Sequence, residues 1–419
     1  MRRLNDYSFI KEVIKEKPFD KKAFFTRAAL IVLGAVLFGI IAAITFVSVL
    51  PGAAAGMGVG REVPQLNIDE HLSQEVEAPA AGEEEAQEST QIIEVPAELG
   101  LSDYKQFYQD MVAASRTASR SVVTVTGITD NMDWFNNTYE NQSQLSGMII
   151  ANTSQDLFIL TEYRGVENVD RIQVTFWDNT SVDAHFQRQD PNTGLCVLKI
   201  AVSEVESSTM STLAAAPLGN SYGAKQGDPI MALGSPMGYS DSMAFGMLTS
   251  VSNEVSAWDS DYTLLTTDIV GTKEGSGVLL NLDGEIIGVI LQSYSGGSNM
   301  VTCVGVSEIA GLMETLSNNK DRPYIGIRGQ AVTEEIADKT GIPVGIYVSE
   351  VQVDSPAMLA GCMNGDVITE MEGKTVKNIE EYSRMLQECK PGETVKVTAM
   401  RKGAEGYTEI VFDVTVGAL

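Results

Sequence analysis

The chain has 419 residues, enough for two or three domains, and its 44% hydrophobic content is ordinary for globular protein. Its formal net charge of −27 argues against nucleic acid as a partner and favours solubility. The sequence shows no metal-ligand spacing among its cysteines and no cofactor pattern, so neither a metal nor an organic cofactor is expected.

The N-terminal region has the pattern of a membrane anchor. Residues 1–27 carry eight Lys/Arg against four Asp/Glu, and residues 28–50 follow as 23 residues without a charge. A helix of that length spans a bilayer. Small residues at 53–55 leave a cleaved signal peptide as an alternative, although its apolar region usually has only about 7–15 residues. We expect an uncleaved single-pass anchor, with residues 1–27 cytoplasmic and everything after Leu50 outside.

An acidic linker is predicted over residues 51–100. Residues 62–98 contain eleven acidic residues and no Lys or Arg. Such a segment cannot bury enough apolar surface to fold, so it is interpreted as a flexible, self-repelling tether.

The folded region is predicted to begin with an amphipathic helix over residues 101–120. Its apolar residues follow helical spacing at Tyr104, Phe107, Tyr108, Met111 and Val112. Short β-rich runs separated by turn residues then continue to about residue 306, which indicates a mainly β domain. Residues 307–317 are predicted to form a closing helix.

Several segments together resemble the HtrA/DegP family of trypsin-like serine proteases. The resemblance is carried by residues 146–150 (SGMII), 159–170 (ILTEYRGVENVD), 190–200 (DPNTGLCVLKI), 231–251 (MALGSPMGYSDSMAFGMLTSV) and 267–289 (TDIVGTKEGSGVLLNLDGEIIGV). It implies a double six-stranded β-barrel protease domain over residues 101–318.

The resemblance also implies that the catalytic triad is degenerate. A serine nucleophile needs a histidine base within reach and a carboxylate that orients the base. The family's histidine position is Arg164 in this chain, and the family's aspartate position is Gly194. Arginine stays protonated at any useful pH, so Arg164 cannot act as a base.

The nucleophile position depends on where one missing residue is placed. This chain has 12 residues between Asp268 and Asn281, one fewer than the family pattern. Counting forward from Asp268 places Ser276 at the nucleophile position, and counting backward from Asn281 places Gly275 there. In either register the oxyanion loop is short by one residue, and Glu274 adds a negative charge beside it.

Other bases have weak support in the sequence. The only histidines are His71, in the acidic linker, and His185, in a segment that alternates like a half-exposed strand. A lysine base would require Lys225 or Lys273 to be desolvated, and no local pattern indicates that.

Residues 322–419 resemble the PDZ domain of the same family. Residues 324–327 (YIGI) resemble its carboxylate-binding loop, and residues 355–368 (SPAMLAGCMNGDVI) a second family segment. Such domains add a peptide as an extra strand and bind its terminal carboxylate through backbone N–H groups. The resemblance assigns those donors to Ile325, Gly326 and Ile327. A helix over 378–388 places Tyr382, Met385 and Leu386 on one face, where they line the peptide groove or pack in the core.

The four cysteines divide equally between the two predicted domains. Cys196 and Cys303 stand where the family has small apolar residues, which favours buried free thiols. Cys362 and Cys389 remain a candidate disulfide pair, which an exported location would permit.

The sequence favours a membrane-anchored pseudoprotease that binds peptides or protein C-termini through its PDZ domain and degenerate cleft. The alternative is an active HtrA-like endopeptidase in protein quality control, with Ser276 as nucleophile. A third hypothesis is a regulator that joins the oligomer of an active family member, since members commonly form homotrimers.

Overall fold

The computed structural model describes residues 100–132 and 138–419. The predicted basic segment, membrane helix and most of the acidic linker lie outside the described residues. Within the described part of the chain, no helix has both the length and the apolar character needed to cross a bilayer.

The predicted N-terminal helix consists of two pieces, α1 (Leu101–Ala114) and α2 (Arg116–Ser119). Between them the Ser115 hydroxyl donates to the Val112 carbonyl, an alternative to regular helical bonding that suits a helix end. Met111 is buried, and the Tyr108 ring packs edge-on against Phe245 at 5.3 Å between centroids. The rest of the apolar face stays exposed.

The first barrel is built from six antiparallel strands. They close in the order β1-β2-β3-β6-β5-β4. The strands are β1 (Val122–Met132), β2 (Thr138–Asn152), β3 (Asp156–Glu162), β4 (Arg171–Thr175), β5 (Ser181–Gln189) and β6 (Leu195–Ala201). Aliphatic side chains such as Val125, Ile159 and Leu198 fill its interior. A short helix, α3 (Ser207–Met210), follows.

The second barrel closes in the order β10-β11-β12-β9-β8-β7. Its strands are β7 (Pro229–Ser235), β8 (Ser242–Ala257), β9 (Ser260–Val270), β10 (Ser276–Leu280), β11 (Ile286–Leu291) and β12 (Met300–Gly305). Helix α4 (Val306–Ser317) then buries Ile309, Met313 and Leu316 in a core shared with both barrels. The expected pair of six-stranded β-barrels is therefore confirmed.

The C-terminal domain is a PDZ-type α+β fold. Its main sheet has the order β14-β15-β16-β18-β19, β17 pairs with β16, and β13 pairs with β20. The strands are β13 (Pro323–Tyr324), β14 (Ile327–Val332), β15 (Gly345–Val351), β16 (Val367–Met371), β17 (Lys374–Thr375), β18 (Thr394–Gly403), β19 (Gly406–Thr415) and β20 (Gly417–Ala418). The helices are α5 (Glu334–Thr340), α6 (Pro356–Leu359) and α7 (Ile379–Glu388).

Two features of this domain are relevant to the peptide binding that the sequence predicts. Strand β14 lies at the edge of its sheet, where a further strand can add. Helix α7 begins after Asn378, whose side chain accepts from the Glu381 N–H at 2.8 Å and caps the helix.

Candidate active-site region and carboxylate loop

Arg164 lies in a 3-10 turn directly after β3 and is fixed by two carboxylates. Its Nε and one terminal nitrogen donate to both oxygens of Glu162, at 2.9 and 2.8 Å. The other terminal nitrogen donates to Glu274 at 2.7 Å. Glu162 is buried and Glu274 is exposed, so Arg164 connects the end of β3 to the loop before β10.

The charges around Arg164 keep it protonated. Burial alone would lower the pKa of the guanidinium, but hydrogen bonds and charge interactions with Glu162 and Glu274 outweigh burial and raise it. Burial also raises the pKa of Glu162, against the opposing effect of Arg164. The position therefore holds a fixed cation that cannot accept a proton from a serine.

Ser276 is the first residue of β10, and its side chain is fully engaged. The residue is 1% exposed. Its Oγ accepts from the Ser146 N–H at 2.8 Å and lies 2.8 Å from the Ser235 Oγ, which is 3.0 Å from the Ser146 Oγ. We call these three residues the serine cluster. They belong to β2, β7 and β10, so the cluster joins the two barrels.

The space beside Ser276 is too small for a peptide bond. A cavity of about 10 Å³ lies there, lined by Ser146, Thr161 and Glu162 among others. That volume holds one water molecule at most. His185, considered above as an alternative base, is exposed on β5 and lies opposite Lys199 of β6. Ser276 is buried, so the two side chains are in different environments.

Gly275 is closely surrounded by backbone. A Cβ at this position would lie 2.4 Å from the Pro236 carbonyl oxygen and 2.9 Å from the Thr272 carbonyl oxygen. The Gly275 N–H donates to the Thr272 carbonyl at 2.9 Å. In the register that assigns the nucleophile to Gly275, a serine side chain has no room, and this amide bonds its own loop rather than an oxyanion.

Gly194 lies in the turn between β5 and β6, with a positive φ of 72°. The acidic residue of this turn is Asp190, which is completely buried. Its carboxylate accepts from the Thr193 N–H at 3.0 Å and hydroxyl at 2.8 Å, and from Arg322 at 2.9 Å. Asp190 thus binds Arg322, the first residue of the predicted PDZ domain. No local sequence pattern predicts this pair, because its members are 132 residues apart.

The predicted carboxylate loop does bind a carboxylate, but one from the same chain. The N–H groups of Ile325, Gly326 and Ile327 donate to the Asp259 side chain at 2.9, 2.8 and 3.1 Å. The Tyr382 hydroxyl donates to the same side chain at 2.6 Å. Asp259 is 1% exposed and belongs to the second barrel. Sequence reasoning missed Asp259, because an aspartate in a turn has no feature that reveals a distant partner.

Asp259 is presented by a two-residue turn, Trp258 and Asp259, that joins β8 to β9. We call it the Asp259 turn. The Asp259 N–H donates to the Ile327 carbonyl at 2.8 Å, and the Arg328 guanidinium lies 4.1 Å from the Trp258 ring centroid. Burial raises the pKa of the Asp259 carboxyl, while its four hydrogen bonds oppose that rise.

The three residues predicted on one face of the PDZ helix share one environment. Tyr382 and Leu386 are completely buried in the PDZ core, and Met385 packs against the same cluster half-buried. Core packing was one of the two roles that the helical spacing left open.

All four cysteines are free thiols in the structure. Cys196, Cys303 and Cys362 are buried, and Cys389 is half-buried. Burial raises the pKa of Cys196 and of Cys362 to about 12, and raises that of Cys303 as well.

The two closed β-barrels form a trypsin-like peptidase fold, and a PDZ-type domain follows them. The trypsin-like peptidase domain family matches residues 145–289, and the PDZ domain family matches residues 323–411. Among solved structures, the HtrA-type protease AlgW with a decapeptide has a TM-score of 0.55 and 22% identity, covering 74% of this chain and 98% of AlgW. The serine endoprotease from Yersinia pestis has a TM-score of 0.50 and 24% identity, and the match covers 74% of this chain and 98% of the Yersinia protein.

Relatives with similar sequences are also described as serine endoproteases. The probable periplasmic serine endoprotease DegP-like of Halomonas elongata is 30% identical over 272 residues, 63% of this chain and 55% of that protein. The protein of the same description from Ectopseudomonas mendocina is 30% identical over 288 residues, 67% and 57% respectively. The chain thus spans a little over half the length of these relatives. In sequence and domain order it is similar to these DegP-like proteins.

Proposed function

We propose that this chain is a proteolytically inactive HtrA-like protein, anchored in the membrane with its folded domains outside the cytoplasm, that binds peptides or protein C-termini. The observation that carries the proposal is Arg164. It stands where the family has its base and is held by two carboxylates, with a pKa raised by them.

The surroundings of Ser276 support inactivity independently of Arg164. Activation of a serine requires a base that takes the hydroxyl proton and oxyanion donors placed within hydrogen-bond reach. The Ser276 hydroxyl is bonded within the serine cluster, and the Gly275 N–H is bonded to Thr272. Loss of a triad member leaves only roughly 10³–10⁴-fold catalysis over water even in an otherwise intact site.

The PDZ domain supports the binding role. Strand β14 is at a sheet edge, and three backbone N–H groups of the carboxylate loop converge on one carboxylate. This is the arrangement by which such domains hold a chain end beside an added strand. The structurally similar AlgW is described with a decapeptide and with a tripeptide.

The proposed location rests on sequence. Residues 28–50 are long and apolar enough for a membrane helix, and the charge of residues 1–27 orients that helix with its N-terminus in the cytoplasm. The relatives described above are named periplasmic, which agrees with an extracytoplasmic site for the folded domains.

Labelling with a fluorophosphonate probe tests for an activated serine without knowledge of the substrate. The full chain is compared with its Ser276→Ala variant and with an intact HtrA-type protease as positive control. We expect no labelling of either form of this chain, and no casein cleavage. Labelling of the wild type that disappears in the Ser276→Ala variant would show that the chain is an active endopeptidase.

A second candidate function is regulation of an active HtrA-type protease, which this chain would join in a mixed oligomer; on its own the chain would form a homotrimer. Helix α1 favours it, because Leu101 and Tyr104 are 85% and 62% exposed on a helix that packs on the barrels mainly through Met111. Exposed apolar patches of this kind mark interaction surfaces. Co-purification from cells tests it, and the absence of any family member from the purified complex would count against it.

A further inference from the structure

We propose that Asp259 is an internal ligand of the carboxylate loop, and that an external peptide with a free α-carboxylate must displace it in order to bind. This inference rests on the proposed peptide-binding function and specifies how that site is regulated. The partner is defined by its chemistry, a chain end that offers a terminal carboxylate and an extended backbone.

The contacts of Asp259 reproduce those of a bound chain end. Its carboxylate accepts three backbone N–H groups of the loop and the Tyr382 hydroxyl. Its own N–H donates to the carbonyl of Ile327, the first residue of edge strand β14. A peptide added beside β14 needs both kinds of contact, carboxylate to loop and backbone to strand. Asp259 therefore occupies the place of a terminal residue.

The Asp259 turn is held in this position from both sides. Strands β8 and β9 form a hairpin of the closed second barrel, and Ala257 pairs with Ser260 directly beneath the turn. The Trp258 carbonyl accepts from the Asn192 side chain at 2.8 Å. The Ser260 and Ser383 hydroxyls lie 3.1 Å apart and connect the hairpin to α7. The barrel thus presents Asp259 rather than leaving it on a flexible loop.

While Asp259 is buried, the donors of the loop compensate its carboxylate. A buried carboxylate is costly unless its oxygens are hydrogen-bonded, and Asp259 at 1% exposure receives four donors there. The same donors would be left unpaired if Asp259 withdrew without a replacement. When an external carboxylate replaces Asp259, the Asp259 side chain is no longer buried and the loop donors again have a carboxylate to bind. A neutral amide end offers fewer acceptor sites, so it leaves some of these donors unpaired.

Internal occupancy lowers the apparent affinity for external peptides. The apparent dissociation constant equals the intrinsic one divided by the fraction of molecules with an open loop. If Asp259 occupies the loop in about 99% of molecules, the apparent affinity falls about 100-fold. Such occupancy requires the effective concentration of the tethered Asp259 side chain to exceed its own intrinsic dissociation constant about 100-fold.

The test measures peptide binding by the full chain and its Asp259→Asn variant. Asparagine has nearly the same shape as aspartate and tolerates the positive φ of 59°. Its NH₂ group is a hydrogen-bond donor, however, so it cannot accept from the N–H groups of the loop as a carboxylate oxygen does. The probe is a fluorescent decapeptide pool of random sequence ending in Val, Leu, Ile or Phe with a free carboxylate. The same pool with amidated ends is the chemical control. Asp261→Asn is the matched variant, since Asp261 lies in the same hairpin and makes none of the loop contacts described above.

We expect Asp259→Asn to strengthen binding of the free-acid pool at least tenfold, with no such gain for the amidated pool or for Asp261→Asn. Asp259→Gly serves as a second variant, because glycine also suits the positive φ and removes the carboxylate. Amide hydrogen exchange at Ile325, Gly326 and Ile327 should become faster in both Asp259 variants. Thermal unfolding verifies that each variant is folded.

Other outcomes separate this inference from the proposed function. Binding of the free-acid pool at equal affinity by wild type and both Asp259 variants, with unchanged amide exchange, would overturn the internal-ligand inference and leave peptide binding in place. Faster exchange in the variants with no binding of either pool would support occupancy of the loop by Asp259, but overturn peptide binding as the function.

Discussion

Replacing Arg322 with Met should destabilise the folded domains through Asp190. Asp190 is completely buried, and the Arg322 side chain is 8% exposed. The replacement keeps much of the apolar stem but leaves the Asp190 carboxylate without its cation, and the Ser260 hydroxyl without the donor that reaches it at 2.7 Å. Breaking a buried ion pair by removing one partner costs about 3–5 kcal/mol. Because two donors from Thr193 remain on Asp190, we expect the lower end, about 3 kcal/mol.

Thermal unfolding by calorimetry measures the effect. For a domain of this size, 1 kcal/mol corresponds to a Tm change of about 2–4 °C, so we expect Arg322→Met to lower Tm by about 6–12 °C. The matched control is Arg188→Met, because Arg188 pairs with the half-exposed Asp321 and such pairs contribute at most about 1 kcal/mol.

A double variant isolates the interaction itself. Asp190→Asn combined with Arg322→Met removes both charges, so it should be less destabilised than the sum of the two single variants. A Tm for Arg322→Met equal to that of Arg188→Met would refute the reasoning, since it would mean that the buried carboxylate does not need its partner.

Three further predictions concern thiols, pH and catalysis. In the native protein we expect Cys389 to react faster with a thiol reagent at pH 8 than the other three thiols, because those are buried and Cys389 is half-buried. Burial and the nearby Glu393 raise the pKa of Cys389, so its reaction should be slower than that of a fully exposed thiol, and mass spectrometry of the labelled peptides identifies the reactive residue. Burial raises the pKa of Glu308 above its ordinary value of 4.5, so its contribution to stability is present below that pH and is lost as pH rises through the raised value. Denaturant unfolding should therefore show that, as pH rises from 4.5 through the raised pKa, the free energy of unfolding falls less in Glu308→Gln than in wild type. The control Glu405→Gln, at an exposed position, should show the same pH dependence as wild type. Arg164→His combined with Gly194→Asp should leave casein cleavage at background, because neither change frees the buried serine hydroxyl; cleavage above wild type would contradict this explanation.

Sequence patterns predict the positions of two helices to within one residue. The closing helix was predicted over 307–317 and is α4, Val306–Ser317. The PDZ helix was predicted over 378–388 and is α7, Ile379–Glu388, with Asn378 as its cap. Helical periodicity and capping residues are local properties, so the sequence contains them directly.

Side-chain partners could not be predicted in the same way. The spacing of Tyr382 and Leu386 shows that they share a helix face, but not whether that face meets a groove or the core. Asp259 lies 66 to 68 residues before the amides that it binds. Arg164 lies 110 residues before Glu274. Such pairs are created by barrel closure and domain packing, which no local pattern encodes.

The packing around Gly275 has a genetic consequence. Many glycine codons become serine codons through a single base change, so a serine at this position is readily sampled by mutation. Its Cβ would nevertheless lie 2.4 Å from the Pro236 carbonyl oxygen, a distance that real Cβ contacts do not show. Placing a serine there would require the backbone near Pro236 or Thr272 to shift, and an inserted residue, which needs an inserted codon, is one way to lengthen the loop and make that room. Insertions in frame are much rarer than base changes, so the present loop is easier to keep than to reverse.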